Sequence, residues 1–369
     1  MGPMALRIGI VGYGGAGRQI HARLARAAGM SVTAVVARDS GRRVQAAGDW
    51  PGARLFNDLP AMLGEPGLYD LVVIASPSGL HAEHAAAVSL AGKPFVLDKP
   101  IATTAAEARR VVSAASSAGT PFTVFHNRRW DPEQLTLAAL LRRGDLGTVH
   151  TFERHWERWR PKPQQRWKEN DVVGGGLLLD LGPHLVDSAT QLFGPVVAVY
   201  AETRALSTPT EDDVFLVLHH AAPGTEPGNR LGAVPGRATG ADVLFGAEPP
   251  AKGVVSRLWA GSLVGAPGPR TRVLGDGGAY LVNSFEGDAS PFDVLDAEQP
   301  DGTHGWLVRG RERTPVPRPR GGHEDFYTAV ADWLAGEAEV PVDPADAVRT
   351  AEVLDAARLS AREGRLVDV

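Results

Sequence analysis

The sequence contains no cysteine, which removes disulfide bridges, thiolate zinc sites and a cysteine nucleophile together. It has no apolar run near the ~20 residues needed to span a bilayer, and MGPMA leads straight into a strand-like segment without the layout of a signal peptide. The expectation is a cytoplasmic protein with no membrane partner. The chain also lacks a strong excess of either charge: 38 Lys and Arg against 43 Asp and Glu leave a formal -5, too weak a field to gather nucleic acid. No internal repeat is visible. What is present is the make-up of an ordinary globular chain, 43% apolar and 22% charged. Its 369 residues exceed the ~250–300 at which single cores stop growing, so two domains are expected.

Up to about residue 125, short β-rich runs (LRIGIV, SVTAVVA, DLVVIAS, PFVL, PFTVF) alternate with segments carrying apolar residues at helical spacing. That alternation predicts a doubly wound parallel α/β sheet with helices on both faces. Beyond Arg143 the runs lengthen (TVHTFERHWERW, PVVAVYAETR, DVFLVLHH, VVSRLWA, AYLVN) with few helices between, which predicts a mostly antiparallel sheet in an α+β domain. AAPGTEPGNRLGAVPGRATG and RERTPVPRPRGG read as Gly/Pro-rich surface connections, the first a mobile one. Helical patterns from Glu324 to Ala335 and from Ala345 to Arg362 close the chain.

The first strand runs into GYGGAGR, so Gly12, Gly14 and Gly17 form GxGxxG, with Tyr13, Gly15 and Ala16 between them. Glycine serves the tight turn, the backbone approach to a pyrophosphate and the close packing of helix on strand, while the helix N-terminus faces the negative charge. Roughly 20 residues on, a strand-end acid would hold the adenosine ribose. VVARDSGRR puts Ala37 there, followed by Arg38, which suits a 2'-phosphate. NADP is therefore favoured over NAD, with Ser40, Arg42 and Arg43 as helpers; the alternative keeps the arginines solvated and gives a ribose to Asp39.

ASPSGLHAEH and VLDKPIA are further carboxyl ends of parallel strands, where such sheets bind ligands. They add Ser76, Pro77, His81, Asp98 and Lys99 to the candidate cofactor contacts. Lys99 sits between an acid and a proline at the crevice; the plain alternative is a surface lysine in a turn. His81 and His84 resemble a metal pair but lack a third ligand, so no metal is expected. His219 and His220 point to opposite faces of a strand and read as structural.

Residues 174–188 read GGGLLLDLGPHLVDS, and in a helix Asp180 and His184, four apart, would share one face. Pro183 between them deletes a helical hydrogen bond and can restart the helix. The plain alternative is a water-facing stripe of Asp180, His184, Asp187 and Gln191. Asn127, Arg128, Trp130, Arg166 and Trp167 are candidates for a polyol pocket, combining donors with flat apolar faces, and Trp156, Trp159 and Trp167 are candidates for its wall.

Taken in order, GYGGAGR, ASPSGLHAEHA, LDKPIA and GGGLLLDLGPHLVD resemble the glucose-fructose oxidoreductase and inositol dehydrogenase (Gfo/Idh/MocA) family over essentially the whole chain. FHNRRWDPEQL, GTVHTFE and RWKEN are most similar to its NADP-dependent scyllo-inositol dehydrogenase branch. The resemblance implies a Rossmann domain at 1–126, a substrate-binding and oligomerisation domain with an open-faced sheet at 127–340, and a C-terminal helix at 341–369 returning to the first domain. It places Lys99, Asp180 and His184 in the catalytic trio. Asp98 stands where the family often has glutamate, and Ser78 where it often has asparagine.

The implied reaction moves a hydride between the nicotinamide and a CH–OH group of a cyclic polyol or sugar. His184 would be the base, Asp180 would orient it or bind a substrate hydroxyl, and Lys99 would hydrogen-bond the reacting oxygen. Asp180 and His184 count among the substrate contacts as well. Two alternatives stay open: a regulatory protein that binds cofactor and sugar without turnover, and a keto-sugar reductase of a biosynthetic pathway. An open sheet with an apolar outer face predicts a homodimer or homotetramer.

Overall fold

The computed structural model describes residues 6–221, 253–266, 268–283 and 300–369; of the segment expected to be a mobile connection, all but its first residue lies outside them. Two compact units divide the chain: residues up to Asn127 together with Gly322–Ala351, and Arg128–Gly321 together with Glu352–Val369.

The first unit holds β1 (Arg7–Val11), α1 (π-type over Gly15–Ala22, α over Arg23–Ala27), β2 (Ser31–Val36), α2 (Ser40–Asp49), β3 (Arg54–Phe56), α3 (Leu59–Leu63), β4 (Leu71–Ile74), α4 (His81–Leu90), β5 (Phe95–Leu97), α5 (Ala105–Ser117) and β6 (Phe122–Val124). The strands pair in parallel in the order β3-β2-β1-β4-β5-β6. Leu71, Val72, Val73 and Ile74 are all buried, as strands covered on both faces must be. The order reverses between β1 and β4, so the loops after these strands flank the topological switch point where such sheets take ligands. Helix starts are fixed by side chains: Asp39 accepts from Arg42 N ahead of α2, Asp58 from Ala61 N ahead of α3, and Thr104 from Glu107 N ahead of α5.

The second unit holds α6 (Pro132–Arg143), β7 (Val149–Glu157), α7 (Trp167–Asn170), α8 (Leu177–Asp180), α9 (Gly182–Phe193), β8 (Val196–Arg204), β9 (Asp213–His220), β10 (Val255–Gly261), β11 (Thr271–Gly275), β12 (Gly278–Val282), β13 (Thr303–Arg309) and β14 (Glu312–Pro317). With β15 (Val367–Asp368) from the end of the chain, its sheet runs β14-β13-β12-β11-β7-β10-β9-β8-β15, antiparallel except for β7 with β10. Leu137 and Leu140 of α6 and Leu185, Ala189 and Phe193 of α9 pack on one face, against Phe152, Leu216 and Leu258. Along β9, Val214, Leu216, Leu218 and His220 are buried while Phe215, Val217 and His219 on the other face stay half-exposed. His219 and His220 thus point to opposite faces. His220 Nδ1 lies 2.8 Å from Gly194 O and Nε2 2.8 Å from Ser256 Oγ, and burial pushes the ring's pKa down to about 4.

One expectation is corrected. RERTPVPRPRGG is not wholly a connection, because Glu312–Pro317 pairs with β13 as a strand. Pro315 and Pro317 donate nothing to a ladder, and β14 tolerates them because it lies at the sheet edge. The chain ends with α10 (Asp325–Leu334), α11 (Pro344–Glu363) and β15 (Val367–Asp368), which pairs with β8. Phe326 of α10 meets Phe125 edge-on at 4.8 Å within the first unit. α11 begins among the residues of the first unit and ends among those of the second.

Candidate active site

In the first unit the glycine motif divides into two kinds of glycine. A Cβ on Gly12, whose φ is +94°, would stand 2.6 Å from the Ala75 carbonyl, and one on Gly17 would overlap the Gly12 carbonyl. These two are demanded by packing. A Cβ on Gly15 would meet nothing, and one on Gly14 would meet only the Arg42 guanidinium, at 3.8 Å. The helix starting at Gly15 has no side-chain cap and no acid in its first turn, so its N–H groups are left for an anion. A dinucleotide pyrophosphate fits this cradle. Tyr13 offers it backbone alone: the ring is buried and Oη donates to Asp49 (3.0 Å), which also takes Arg18 Nε at 2.6 Å. Burial, then Asp49, pushes the Tyr13 phenol up to about 12.

At the end of β2, Ala37 is buried and Arg38 exposed. Asp39 is engaged as a helix cap. Arg43 donates to Ala37 O and Asn57 Oδ1, which leaves Arg42 as the arginine lying against the glycine loop.

The loops after β4 and β5 are tied by histidine. His81 is buried, with Nδ1 2.7 Å from Pro100 O and Nε2 2.9 Å from Ser76 O, while His84 Nδ1 lies 2.9 Å from Ser76 Oγ. The two histidines serve as a loop clamp, and burial pushes both rings' pKa down. Ser78 is buried in the turn that starts α4. Asp98 accepts the Lys99 N–H at 2.8 Å and lies 3.6 Å from His21 Nε2; His21 Nδ1 in turn lies 2.7 Å from Tyr327 Oη. Burial pushes the Asp98 carboxyl up, but His21 together with Lys99 and His81 brings it down to about 2. Lys99, half-buried, thus stands on a fixed backbone beside an ionised acid. Sequence reasoning missed His21 and Tyr327, and no local signal marks them.

In the second unit two glycines of the triplet are explained by close approach. A Cβ on Gly175 would overlap the carbonyls of Lys168 and Asp171, and one on Gly176 (φ +85°) the Glu211 carboxylate, which accepts from Leu178 N at 3.1 Å. The expected single helix is two. Asp180 ends α8, the chain turns at Leu181, and Pro183 sits in the first turn of α9, where a missing N–H costs little. His184 follows in that turn, its N–H reaching Leu181 O at 3.1 Å.

Asp180 pairs with Lys168 Nζ at 2.5 Å. His184 is 8% exposed and packs 5.5 Å from the Trp156 ring, which also faces the guanidinium groups of Arg128 (4.9 Å) and Arg270 (5.3 Å). Asp187, 3% exposed, takes Arg129 in two hydrogen bonds of 2.6 and 3.0 Å. Of the alternative water-facing stripe, His184 and Asp187 are buried, while Asp180 and Gln191 stay half-exposed.

Beside Asp180 opens a polar cleft, open to solvent, lined by Arg160, Lys162, Arg166, Lys168, Glu211 and Asp212 among others. Arg166 bonds Glu169 through Nε at 2.9 Å. Trp167 stands partly exposed with Lys168 Nζ 5.8 Å from its ring, Trp159 is exposed, Trp130 half-buried, and Asn127 buried at the end of the first unit. Arg160, Lys162, Lys168 and Glu211 were not anticipated, although RWRPKPQQRWK carries five cations in eleven residues.

A family model described as an oxidoreductase family with an NAD-binding Rossmann fold, Gfo/Idh/MocA, matches residues 6–126, and its companion for the C-terminal alpha/beta domain matches 138–369. The chain belongs to this family. The resemblance read from the motifs holds, and this Gfo/Idh/MocA member is an oxidoreductase with a nicotinamide dinucleotide as cofactor. It is 28% identical over 378 residues to the scyllo-inositol 2-dehydrogenase (NADP(+)) IolW of Bacillus subtilis, covering 98% of this chain and 95% of that one. It is 31% identical over 361 residues to the oxidoreductase YdgJ of Escherichia coli, covering 95% and 94%. The structure of the oxidoreductase yvaA from Bacillus subtilis superposes with a TM-score of 0.79 at 26% identity, covering 99% of this chain and 98% of that one. No helix among the described residues is long and apolar enough to cross a membrane.

Proposed function

We propose that the protein is an NADP-preferring cytoplasmic dehydrogenase that acts on a secondary alcohol of a cyclic polyol or sugar, or reduces the matching ketone. The observation that carries this reading is Asp180 in the wall of a polar cleft, four residues before His184 across the break at Leu181, in a chain that also builds a dinucleotide cradle. When bound, the nicotinamide takes up or returns the hydride. His184 accepts the proton of the carbinol hydroxyl during oxidation and gives it back during reduction; imidazole does this near neutrality without large tuning. Asp180, held by Lys168, accepts a hydrogen bond from a neighbouring substrate hydroxyl or orients the His184 ring. Lys99 donates a hydrogen bond to the reacting oxygen and stabilises its alkoxide character. Its assignment to the same reaction rests on the order of the motifs, and the Tyr327, His21 and Asp98 series holds the backbone from which it reaches. Gly12 to Gly17 receive the cofactor, with Ser76, Pro77 and Asp98 at the neighbouring strand ends and His81 clamping two of those loops. Asn127, Arg128, Arg166 and Trp167 complete the substrate contacts.

The preference for NADP is supported by a buried Ala37 where an acid would hold a ribose, by Asp39 being engaged as a cap, and by the exposed Arg38 and Arg42. The half-exposed face carrying Tyr200, Phe215, Val217 and Trp259 supports pairing with a second copy. The test is a screen of cyclic polyols, aldoses and keto-sugars with both cofactors. We expect turnover with a lower KM for NADP, and Arg38→Ala removing most of that advantage. Equal affinities for the two cofactors would end the NADP preference; sugar binding without turnover would favour the regulatory alternative.

A further inference from the structure

We propose that the substrate carries a negatively charged group, a carboxylate or a phosphate, in addition to its hydroxyls, and that Arg160 and Lys162 bind that group while Arg158 adds to its field. This rests on the reading of the cleft as the substrate site. The stretch from Arg158 to Lys168 brings five cations together. Two are matched within the protein, Arg166 by Glu169 and Lys168 by Asp180. Among the described residues, Arg158, Arg160 and Lys162 have no salt bridge.

Their placement is fixed. Arg158 N donates to Gly261 O, Arg160 N to Ser262 O and Val264 N to Arg158 O, so the segment is pinned to the residues after β10 by an isolated antiparallel bridge between Trp159 and Leu263. Lys162 lies between Pro161 and Pro163, each with its φ locked. Arg160 and Lys162 both line the cleft, together with hydroxyl-bearing Ser207, Thr208 and Thr210 and with Glu211 and Asp212. The two carboxylates take the backbone N–H groups of Leu178 and of Leu206 and Ser207, and form no salt bridge with these cations. Arg158 is half-buried, and burial, then the charges of Arg160, Arg166 and Arg128, press its guanidinium below its ordinary range while Asp180 pulls the other way. Holding several like charges together costs stability unless something offsets it, and a neutral polyol offers no counter-charge. A carboxylate or phosphate does, and it fits the planar guanidinium fork. The anion would then anchor one end of the molecule while Asp180 takes hydroxyls at the other.

The experiment compares matched sets of aldoses and cyclitols in uncharged, carboxylate and phosphate form, by kcat/KM with NADP and by calorimetric binding to the NADPH-loaded protein. We expect an anionic form to exceed its uncharged counterpart by about 10- to 100-fold, the scale of a charge-assisted hydrogen bond or two. Arg160→Gln and, separately, the more exposed Lys162→Gln should shrink that ratio, as should raised salt; unchanged NADPH affinity checks their folding. The carboxylate and phosphate arms identify which anion is bound. Equal use of charged and uncharged forms, or a ratio that neither variant changes, overturns the proposal. If nothing is turned over, the oxidoreductase reading fails alone and the binding ratio still decides: a preference for the anion that the variants remove sustains the proposal, and no preference or no binding refutes it.

Discussion

The glycine cradle and the cleft beside Asp180 are built from opposite materials. The cradle uses residues without side chains: Gly12 and Gly17 leave no room for a Cβ, and Gly14 and Gly15 open onto the space where an anion meets N–H groups. The cleft uses some of the longest side chains in the chain, lysines and arginines from the segment after β7 and from α7, set against Asp180 and Glu211. A backbone site is specified by the identity of a few residues at fixed spacing. A side-chain site is specified by which charges the fold brings together, and its affinity is correspondingly sensitive to salt and to the loss of one partner.

This contrast can be broken at either end. The largest effect is expected in the second unit, where Arg129→Met leaves Asp187 buried without its bidentate partner beside His184. Losing one member of such a pair costs about 3–5 kcal/mol, visible as a lower urea midpoint, and Arg129→Met with Asp187→Leu together should recover most of it. In the first unit, Gly17→Ala pushes a Cβ into the Gly12 carbonyl and should cost about 1–3 kcal/mol, with lost NADPH binding. Gly15→Ala meets open space and should keep stability within about 0.5 kcal/mol, whatever it does to the cofactor. Equal melting temperatures for the two glycine variants would contradict the division of the motif.

A smaller effect is a pH dependence in the second unit. The folded pKa of His220 is about 4 against an ordinary 6.5. Because the folded value is depressed, the stability gained from packing the neutral ring is full above pH 6.5 and is lost as pH falls through about 4. Thermal melting should fall over that window in the unmodified protein, and His220→Asn should flatten the slope. An unaltered slope would remove His220 from the account.

Legibility in the sequence follows the same division. The buried parallel strands announce themselves because both faces must be apolar, whereas β3 escapes because Phe56 is its one buried residue, and β14 because its prolines imitate a loop. GxGxxG and the glycine triplet are legible because the glycines stand at fixed spacing, whereas the neighbours that demand two of them, Ala75 for Gly12 and Glu211 for Gly176, are far along the chain and are not legible. The break at Leu181 is half legible, since Pro183 marks it without fixing how Asp180 and His184 divide between two helices. His21 and Tyr327 are 306 positions apart, and nothing in either neighbourhood points to the other. The cationic stretch at 158–168 is plain in the letters, but a run of charge is ordinarily a solvated face, and only its convergence on Asp180 gives it meaning.

The central claim is that His184 moves the proton while the cofactor moves the hydride. The most direct measurement is the pH profile of kcat/KM for oxidation of the best substrate, compared between the unmodified enzyme and His184→Ala. The unmodified enzyme should show an ascending limb near neutrality, and the variant a kcat lower by about 10²- to 10⁴-fold, that limb abolished, and NADP affinity nearly intact. A variant with full activity and an unchanged profile would contradict it.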